Sequence, residues 1–124
     1  MVLLDTNYLI RCLVRGSEES GRIIEWVRKG GDLCTSSVCW YEFLCGPVDD
    51  EGVLLVSSLL DDKIIPYTAD QAAESSRLFN GVLRKRNLRV DAMIAAAAIV
   101  SGSSLATGNT ADFDFFKPYG LIMV

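Results

Sequence analysis

A short apolar run at the start of the chain ends in a carboxylate, and this junction constrains the fold more than any other feature. Val2 to Leu4 are apolar, Asp5 follows at once, and Thr6 and Asn7 precede a new apolar pattern. The pattern predicts a buried strand that brings Asp5 to the rim of a sheet, where Thr6 or Asn7 starts a helix. Ligands of open α/β sheets bind at the carboxyl ends of the strands. Because burying a bare carboxylate is costly, Asp5 needs a metal ion, another cation or water.

The composition narrows the chemistry available to such a site. The chain has 124 residues, half of them apolar, which is enough for a single folded domain over residues 1–124. It contains no histidine, which excludes Ser-His-Asp triads, histidine bases and histidine-containing zinc or haem sites. The net charge of −4 argues against a broad nucleic-acid-binding surface, but it allows a local basic strip beside an acidic pocket.

Cysteine spacing and apolar runs predict a cytoplasmic protein. No C-x-x-C spacing occurs, and Asp5 interrupts the opening apolar run, so we expect no secretory leader. We interpret the four cysteines as reduced core thiols, with disulfides or a thiolate metal site as alternatives: Cys12, Cys34, Cys39 and Cys45. The run from Ala92 to Val100 is far shorter than the roughly 20 residues that span a bilayer, so no membrane segment is expected.

Strand-like and helix-like segments alternate along the chain. Strands are predicted up to Asp5 and over Asp32–Thr35, Lys63–Tyr67, Ser104–Thr107 and Leu121–Val124. Helices are predicted over Asn7–Val14 and Glu18–Lys29, from a cap at Ser36 or Ser37 to the stop at Gly46-Pro47, over Asp49–Leu60, from Thr68 to the basic residues 84–86, and over Val90–Val100. A short irregular or helical segment is expected around Phe113–Phe116. This alternation predicts a three-layer α/β/α fold with a mainly parallel central sheet.

Four acidic positions fall where this architecture brings residues to one end of the sheet. Asp5 ends the first strand, Glu42 lies inside an apolar helix, and Asp91 opens an alanine-rich helix. Asp112 follows the last strand and turn, with Asp114 close by. Each has an ordinary alternative: Glu42 as a side chain that reaches solvent, Asp91 as a helix cap or first-turn charge, and the last two as loop acids. Together they predict a convergent carboxylate pocket.

Electrostatic repulsion between the carboxylates indicates which kind of ligand such a pocket would bind. Two unit charges about 4 Å apart repel by about 4 kcal/mol at an effective dielectric constant of about 20. Several crowded carboxylates would therefore remove a large fraction of a small domain's stability, unless some are protonated or a cation lies among them. Oxygen ligands alone favour Mg²⁺ or Mn²⁺, and such an ion suits phosphoryl chemistry.

Smaller polar groups and a basic strip accompany the acids. The polar groups lie at predicted strand ends, where they would orient the acids or bind water, although ordinary capping and turn chemistry explains each equally well: Thr6, Asn7, Thr107 and Asn109. The basic strip precedes Asp91 and would contact a phosphate backbone near the pocket, with a solvated helix end as the alternative: Arg84, Lys85, Arg86 and Arg89. Glycine-rich phosphate-binding motifs are absent.

These motifs, in this order and spacing, resemble the PIN-domain ribonucleases, and they look most like the VapC toxins of type II toxin–antitoxin systems. The matching segments span nearly the whole chain: Leu3-Leu4-Asp5-Thr6-Asn7-Tyr8-Leu9-Ile10, Glu42 within Tyr-Glu-Phe-Leu, Asp91-Ala92-Met93-Ile94-Ala95-Ala96-Ala97-Ala98 and Leu105-Ala106-Thr107-Gly108-Asn109. The resemblance implies a PIN-like fold and a Mg²⁺- or Mn²⁺-dependent endoribonuclease acting on structured RNA such as tRNA or rRNA. It also implies a homodimer that a small VapB-like antitoxin neutralises.

The resemblance also implies residue roles. By position, Asp5, Glu42 and Asp91 match the metal-binding acids of the family. For the fourth acid the chain offers Asn109 and Asp112, of which we favour Asp112. Asp5, Asp91 and Asp112 would hold one or two metal ions, with Glu42 ligating or orienting the water that attacks phosphorus in line. The implied products carry a 5′-phosphate and a 3′-hydroxyl.

Two rival interpretations remain. A phosphatase of the haloacid dehalogenase class also starts with a strand and an aspartate, but it needs a second acid two residues later, where this chain has Asn7. The same scaffold could instead be a catalytically inert PIN-like module that binds RNA or protein. At position 108 the chain has glycine where the family often has Arg or Asn, so the substrate contact there differs.

Overall fold

The fold is built on a parallel four-stranded sheet. A computed structural model describes residues 1–124. The strands are β1 (Val2–Leu4), β2 (Leu33–Ser36), β3 (Ile64–Ile65) and β4 (Ser104–Ala106), in the spatial order β3-β2-β1-β4, and every neighbouring pair is parallel. The helices are α1 (Thr6–Arg11), α2 (Glu18–Arg28), α3 (Ser37–Leu44), α4 (Asp50–Leu59), α5 (Ala69–Gly81), α6 (Arg89–Ser101) and α7 (Thr110–Phe113). Short 3₁₀ helices cover Arg86–Leu88 and Asp114–Tyr119.

The strand order places the helices on both faces of the sheet. The chain steps from β1 to β2 to β3 in one direction and then returns across the sheet to β4. Because parallel crossovers are right-handed, the helices before β3 cover one face and α5 and α6 cover the other. In agreement, α1 packs against α2 and α3, whereas α5 packs along α6. The predicted three-layer α/β/α fold with a parallel sheet is confirmed.

Local sequence signals explain where the helices begin and how closely they pack. Ser36 and Thr68 are N-caps whose hydroxyls accept hydrogen bonds from the backbone N–H three residues further on, and Asp49 does the same with its carboxylate. The buried stretch Ala95–Ala98 lets the α6 backbone approach its neighbours closely, because alanine carries only a methyl group. Gly102 then ends α6 in the left-handed conformation, with φ of 69°.

The predicted bounds of four segments are wrong. Helix α1 ends at Arg11 and not at Val14, and β3 covers only Ile64–Ile65 of the predicted Lys63–Tyr67. Helix α5 ends at Gly81 and does not reach the basic residues 84–86, because Leu83 and Arg84 adopt left-handed backbone conformations, with φ of 58° and 55°. At this helix end the Tyr119 hydroxyl donates a 2.7 Å hydrogen bond to the Gly81 carbonyl. A Cβ on Gly81 would also lie 2.7 Å from the Tyr119 ring, so glycine is required at this contact. The segment Leu121–Val124 is not a strand: only one isolated parallel bridge joins Met123 to Leu105.

The cysteines are free, and two of them occupy the core. Cys34 and Cys39 are buried, as predicted for core thiols. Cys12 is half-buried and Cys45 is exposed, so the core prediction is wrong for Cys45, which lies at the exposed C-cap of α3. No helix is long and apolar enough to cross a membrane.

Candidate metal centre

Asp5 lies at the point where the sheet changes direction, between β1 and β4. It is the N-cap of α1 and its Oδ1 accepts a 2.8 Å hydrogen bond from the backbone N–H of Thr6. The same oxygen accepts a 3.6 Å hydrogen bond from the Cys39 thiol, and Oδ2 accepts a 2.7 Å hydrogen bond from the Thr107 hydroxyl. These three donors compensate for burial, since the residue is only 6% exposed. A carboxylate has about four lone-pair positions, so acceptor capacity is left for a cation.

Glu42 and Asp91 approach this point from two helices. Glu42 is exposed on α3, and its Oε1 accepts a 3.0 Å hydrogen bond from the Thr6 hydroxyl. Asp91 is the third residue of α6, so it is a first-turn charge and not the helix cap, a position that Leu88 occupies. Burial raises the pKa of Asp91 to about 6, and the negative charges of Asp5, Asp112 and Glu42 add to the effect. The four predicted acids therefore share one electrostatic environment.

The loop after β4 supplies the fourth acid and its support. The backbone N–H of Asn109 donates a 3.0 Å hydrogen bond to the Thr107 hydroxyl, and its side-chain amide donates a 3.1 Å bond to Oδ2 of Asp112. Asp114 is instead exposed and forms a 2.9 Å ion pair with Lys117. The choice of Asp112 over Asp114 is therefore consistent with the geometry of this loop.

A small cavity joins the predicted residues. Its volume is about 200 Å³, and these residues line it: Asp5, Thr6, Asn7, Glu42, Asp91, Ile94 and Asn109. Thr107 and Asp112 lie immediately behind this lining, through their hydrogen bonds to Asp5 and Asn109. Side chains from β1, α3, α6 and the β4 loop thus converge on one end of the sheet.

The basic strip is exposed and lies outside this cavity. The Lys85 ammonium lies 4.6 Å from the centre of the Phe115 ring, and the Arg89 guanidinium lies 5.5 Å from that of Phe79. Arg84 donates a 2.9 Å hydrogen bond from Nε to Asn80. In all three contacts the charged end of the basic side chain lies against a neighbouring side chain, and the phosphate contact stays a prediction.

Two residues at the site were not predicted from the sequence as parts of it. Ile94 supplies an apolar wall, and the Cys39 thiol contacts Asp5. Cys39 lies three residues before Glu42 on α3, so both side chains project from one face of the helix. That spacing is the signal that could have identified the thiol as a neighbour of the site.

The donor set fits a hard divalent cation that keeps part of its water shell. No three acidic or thiol side chains are arranged closely enough to hold a metal ion among them as they stand. Mg²⁺ is usually bound through one or two carboxylates and several waters, and therefore does not require such a preformed cage. Asp5, Glu42 and Asp91 line the cavity and are the carboxylates that could hold such an ion there.

The fold and the site together define a class of protein. It is a parallel three-layer α/β domain with an acidic pocket at the topological switch point of its sheet. The chain belongs to the PIN-domain family: the family profile described as PIN domain matches residues 2–117. PIN domains are generally nucleases, so the resemblance noted from the motifs is confirmed at the level of the family. Among curated proteins no match was found.

Solved structures share this fold. One is VapBC2 from Rickettsia felis bound to a DNA fragment from its promoter, with a TM-score of 0.70 and 21% identity, covering 100% of this chain and 98% of that chain. Another is FitAcB from Neisseria gonorrhoeae, with a TM-score of 0.69 and 22% identity, covering 100% and 97%. A toxin–antitoxin complex from Klebsiella pneumoniae has a TM-score of 0.66 and 28% identity, covering 91% and 90%.

Proposed function

We propose that this protein is a VapC-type toxin, a Mg²⁺- or Mn²⁺-dependent endoribonuclease that hydrolyses RNA phosphodiesters. The observation that carries the proposal is the convergence of Asp5, Glu42 and Asp91, from three different elements, on one cavity of about 200 Å³. A cavity of that size accommodates ions, water and a phosphate group. Family membership adds the class of chemistry, since PIN domains are generally nucleases.

Each acid has a role that follows from its surroundings. Asp5 is held by three donors and provides a fixed anionic oxygen. Asp91 has no such donors, and its pKa is raised first by burial and then by repulsion from the neighbouring acids, which a cation would relieve. When bound, the divalent ion lowers the pKa of a water molecule and neutralises the scissile phosphate. Glu42 is exposed and has one oxygen without a partner, so it is placed to orient the attacking water; Asp112 is oriented by Asn109.

The partners follow by analogy with the structural neighbours. The Klebsiella pneumoniae structure is a toxin–antitoxin complex, and the Rickettsia felis structure is VapBC2 bound to DNA. We expect this chain to form a homodimer in the cytoplasm and to be inhibited by a cognate VapB-like antitoxin. Its substrate would be structured RNA of the tRNA or rRNA class, with the basic strip contacting the phosphate backbone.

A single experiment tests the activity. Purified protein is incubated with total RNA in Mg²⁺, in Mn²⁺ or in EDTA, and the cut ends are mapped by sequencing. We expect defined cuts with 5′-phosphate and 3′-hydroxyl ends that EDTA abolishes. Cleavage that persists in EDTA would contradict the metal-dependent mechanism.

The alternative is a catalytically inert PIN-like module that binds RNA or protein. The specific observation in its favour is that the acids do not form a preassembled metal cage. Thermal unfolding with and without Mn²⁺ separates the two cases: a working acidic pocket is stabilised by the ion, and an inert one is not.

A further inference from the structure

A second cleft lies on the other side of Thr107 from the acidic pocket. Its volume is about 470 Å³, within the range of about 300–1,000 Å³ typical of small-molecule sites. Residues from α1, α2, β4, the segment that follows β4 and residues 123–124 line it, including Tyr8, Arg22, Trp26, Thr107 and Val124. We call it the aromatic cleft. Thr107 lines this cleft and donates a hydrogen bond to Asp5, which lines the acidic pocket, so this bonded pair connects the two cavities.

An aromatic pair forms the floor of the aromatic cleft. The rings of Tyr8 and Trp26 are stacked, with centroids 5.9 Å apart and planes inclined by 27°. Tyr8 is buried, whereas Trp26 is half-buried and presents part of its indole to the cleft. Aromatic side chains of this kind stack on nucleobases without requiring a particular base. The floor therefore suits a planar, uncharged ring.

The polar groups at the mouth favour a nucleoside over a phosphate group. Arg22 is already engaged, because its Nη1 donates a 2.8 Å hydrogen bond to the Tyr8 hydroxyl and its Nη2 a 2.6 Å bond to Glu18. Glu25 also lines the cleft and would repel a phosphate, although a 3.0 Å ion pair with Lys29 partly compensates its charge. The remaining N–H groups of Arg22 and the Glu25 carboxylate can instead bond to a base edge or a ribose.

We propose that the aromatic cleft is a nucleoside subsite, which receives a base and ribose of the substrate RNA next to the phosphodiester that lies in the acidic pocket. This inference rests on the proposed ribonuclease function and names how the strand is held. The acidic pocket, at about 200 Å³, has less than half the volume of its neighbour, so the flanking nucleoside occupies the larger cavity. Thr107 marks the boundary between the two.

Tryptophan fluorescence tests this assignment directly. The chain has two tryptophans, and Trp40→Phe leaves Trp26 as the only one. This background protein, in EDTA, is titrated with a single-stranded hexa-adenylate RNA and with an abasic hexamer carrying the same phosphates. We expect the hexa-adenylate to quench Trp26 and the abasic strand to leave its emission unchanged. Equal responses to both strands, or no quenching by either, would overturn the proposal.

Matched variants locate the contact. Trp26→Leu, in the otherwise unchanged protein, is expected to weaken hexa-adenylate binding roughly tenfold in fluorescence anisotropy. Because Trp26 packs against the core, Arg22→Gln provides a second variant on an exposed side chain, with Arg28→Gln on the same helix as its control. Arg22→Gln should weaken binding more than Arg28→Gln, and equal losses for the two arginines would count against the subsite.

The outcomes for the subsite and for the catalytic function are separable. RNA cleavage without base-dependent quenching would refute the subsite and leave the nuclease proposal standing. Base-dependent quenching without cleavage in Mg²⁺ or Mn²⁺ would support the subsite and refute the nuclease proposal.

Discussion

The sheet side and the helix side of the acidic pocket hold their carboxylates in different ways. On the sheet side, Asp5 is buried and accepts hydrogen bonds from a backbone N–H, a thiol and a hydroxyl. On the helix side, Glu42 is exposed with one hydroxyl donor, and the pKa of Asp91 is raised by burial and by the neighbouring acids. The protein thus compensates the charge of Asp5 with three donors of its own, whereas Glu42 has one donor and Asp91 has none.

Asp5→Asn should produce the largest effect on activity. The substitution removes the fixed anionic oxygen while keeping an acceptor for the Thr6 N–H, so we expect RNA cleavage to fall by at least about a hundredfold. The variant should stay folded, because it also removes a charge that repels Asp91. The measurement is a cleavage time course in Mg²⁺ alongside a circular dichroism melt. Undiminished cleavage would rule out the role of Asp5.

Asp112→Asn and Asp114→Asn form a matched pair in the loop that follows β4. Asp112 is oriented by Asn109 and acts on Asp91 through its charge, whereas Asp114 is exposed and paired with Lys117. We expect Asp112→Asn to reduce cleavage at least about tenfold and Asp114→Asn to leave it nearly unchanged. Kinetic assays at several Mg²⁺ concentrations check this, and equal losses in the two variants would remove the reason for preferring Asp112.

Thr107→Val tests whether the fixed geometry on the sheet side matters. The variant loses the hydrogen bond to Asp5 and the acceptor for the Asn109 N–H, while Thr107→Ser keeps both. Loss of an outer-shell partner typically weakens metal binding by about 10–100-fold. We expect a weakening in this range for Mn²⁺ binding to Thr107→Val in isothermal titration, with the serine variant close to wild type. A valine variant that binds Mn²⁺ normally would mean that Asp5 needs no orientation by Thr107.

Asp91→Asn tests whether the charge of Asp91, which has no hydrogen-bond donor, destabilises the helix side of the pocket. The folded-state pKa of Asp91, about 6, lies above the value of 3.8 for an unperturbed carboxyl, so its charged form destabilises the metal-free protein. The metal-free wild type should therefore gain stability as the pH falls from above 6 towards 4. Because Asp91 is only half-buried, we reduce the expected effect to about 1 kcal/mol, or about 4 °C in melting temperature.

The measurement is thermal unfolding in EDTA at pH 7.5 and pH 5. Asp91→Asn should be the more stable protein at pH 7.5, and the difference should shrink at pH 5, where wild-type Asp91 is largely protonated. Excess Mn²⁺ should reverse the order by stabilising the wild type selectively. Identical melting temperatures in EDTA at both pH values would show that the helix side carries no such repulsion.

The positions of the acids are visible in the sequence, whereas the contacts that hold them depend on packing. The convergence of Asp5 and Asp91 could be predicted because strand ends and helix starts are local signals, and parallel strands bring their carboxyl ends to one edge. Glu42, inside α3, could be predicted only as an acid in an otherwise apolar helix. The end of α5 could not be predicted, since it lies where Leu83 and Arg84 adopt the left-handed conformation, which residues other than glycine rarely adopt. The thiol contact from Cys39 is a product of packing, although its helical spacing from Glu42 is visible in the sequence.

Because α5 ends at Gly81, the basic strip begins in the segment between α5 and α6 and not on α5 itself. Substitution of one arginine in this strip should have the smallest effect of the variants considered. Arg86 begins the short 3₁₀ helix before α6, is exposed, and has no ion pair with an acid. We expect Arg86→Gln to weaken RNA binding only a few-fold and to lower the dependence of log K on log salt concentration by about one phosphate contact.

Arg28→Gln, another exposed arginine, serves as the control and should change neither quantity. Fluorescence anisotropy between 50 and 200 mM salt, in EDTA, separates binding from cleavage. Equal salt slopes for wild type and Arg86→Gln would place the phosphate backbone away from the basic strip. The acidic pocket would then have to bind its substrate through the ion and the aromatic cleft alone.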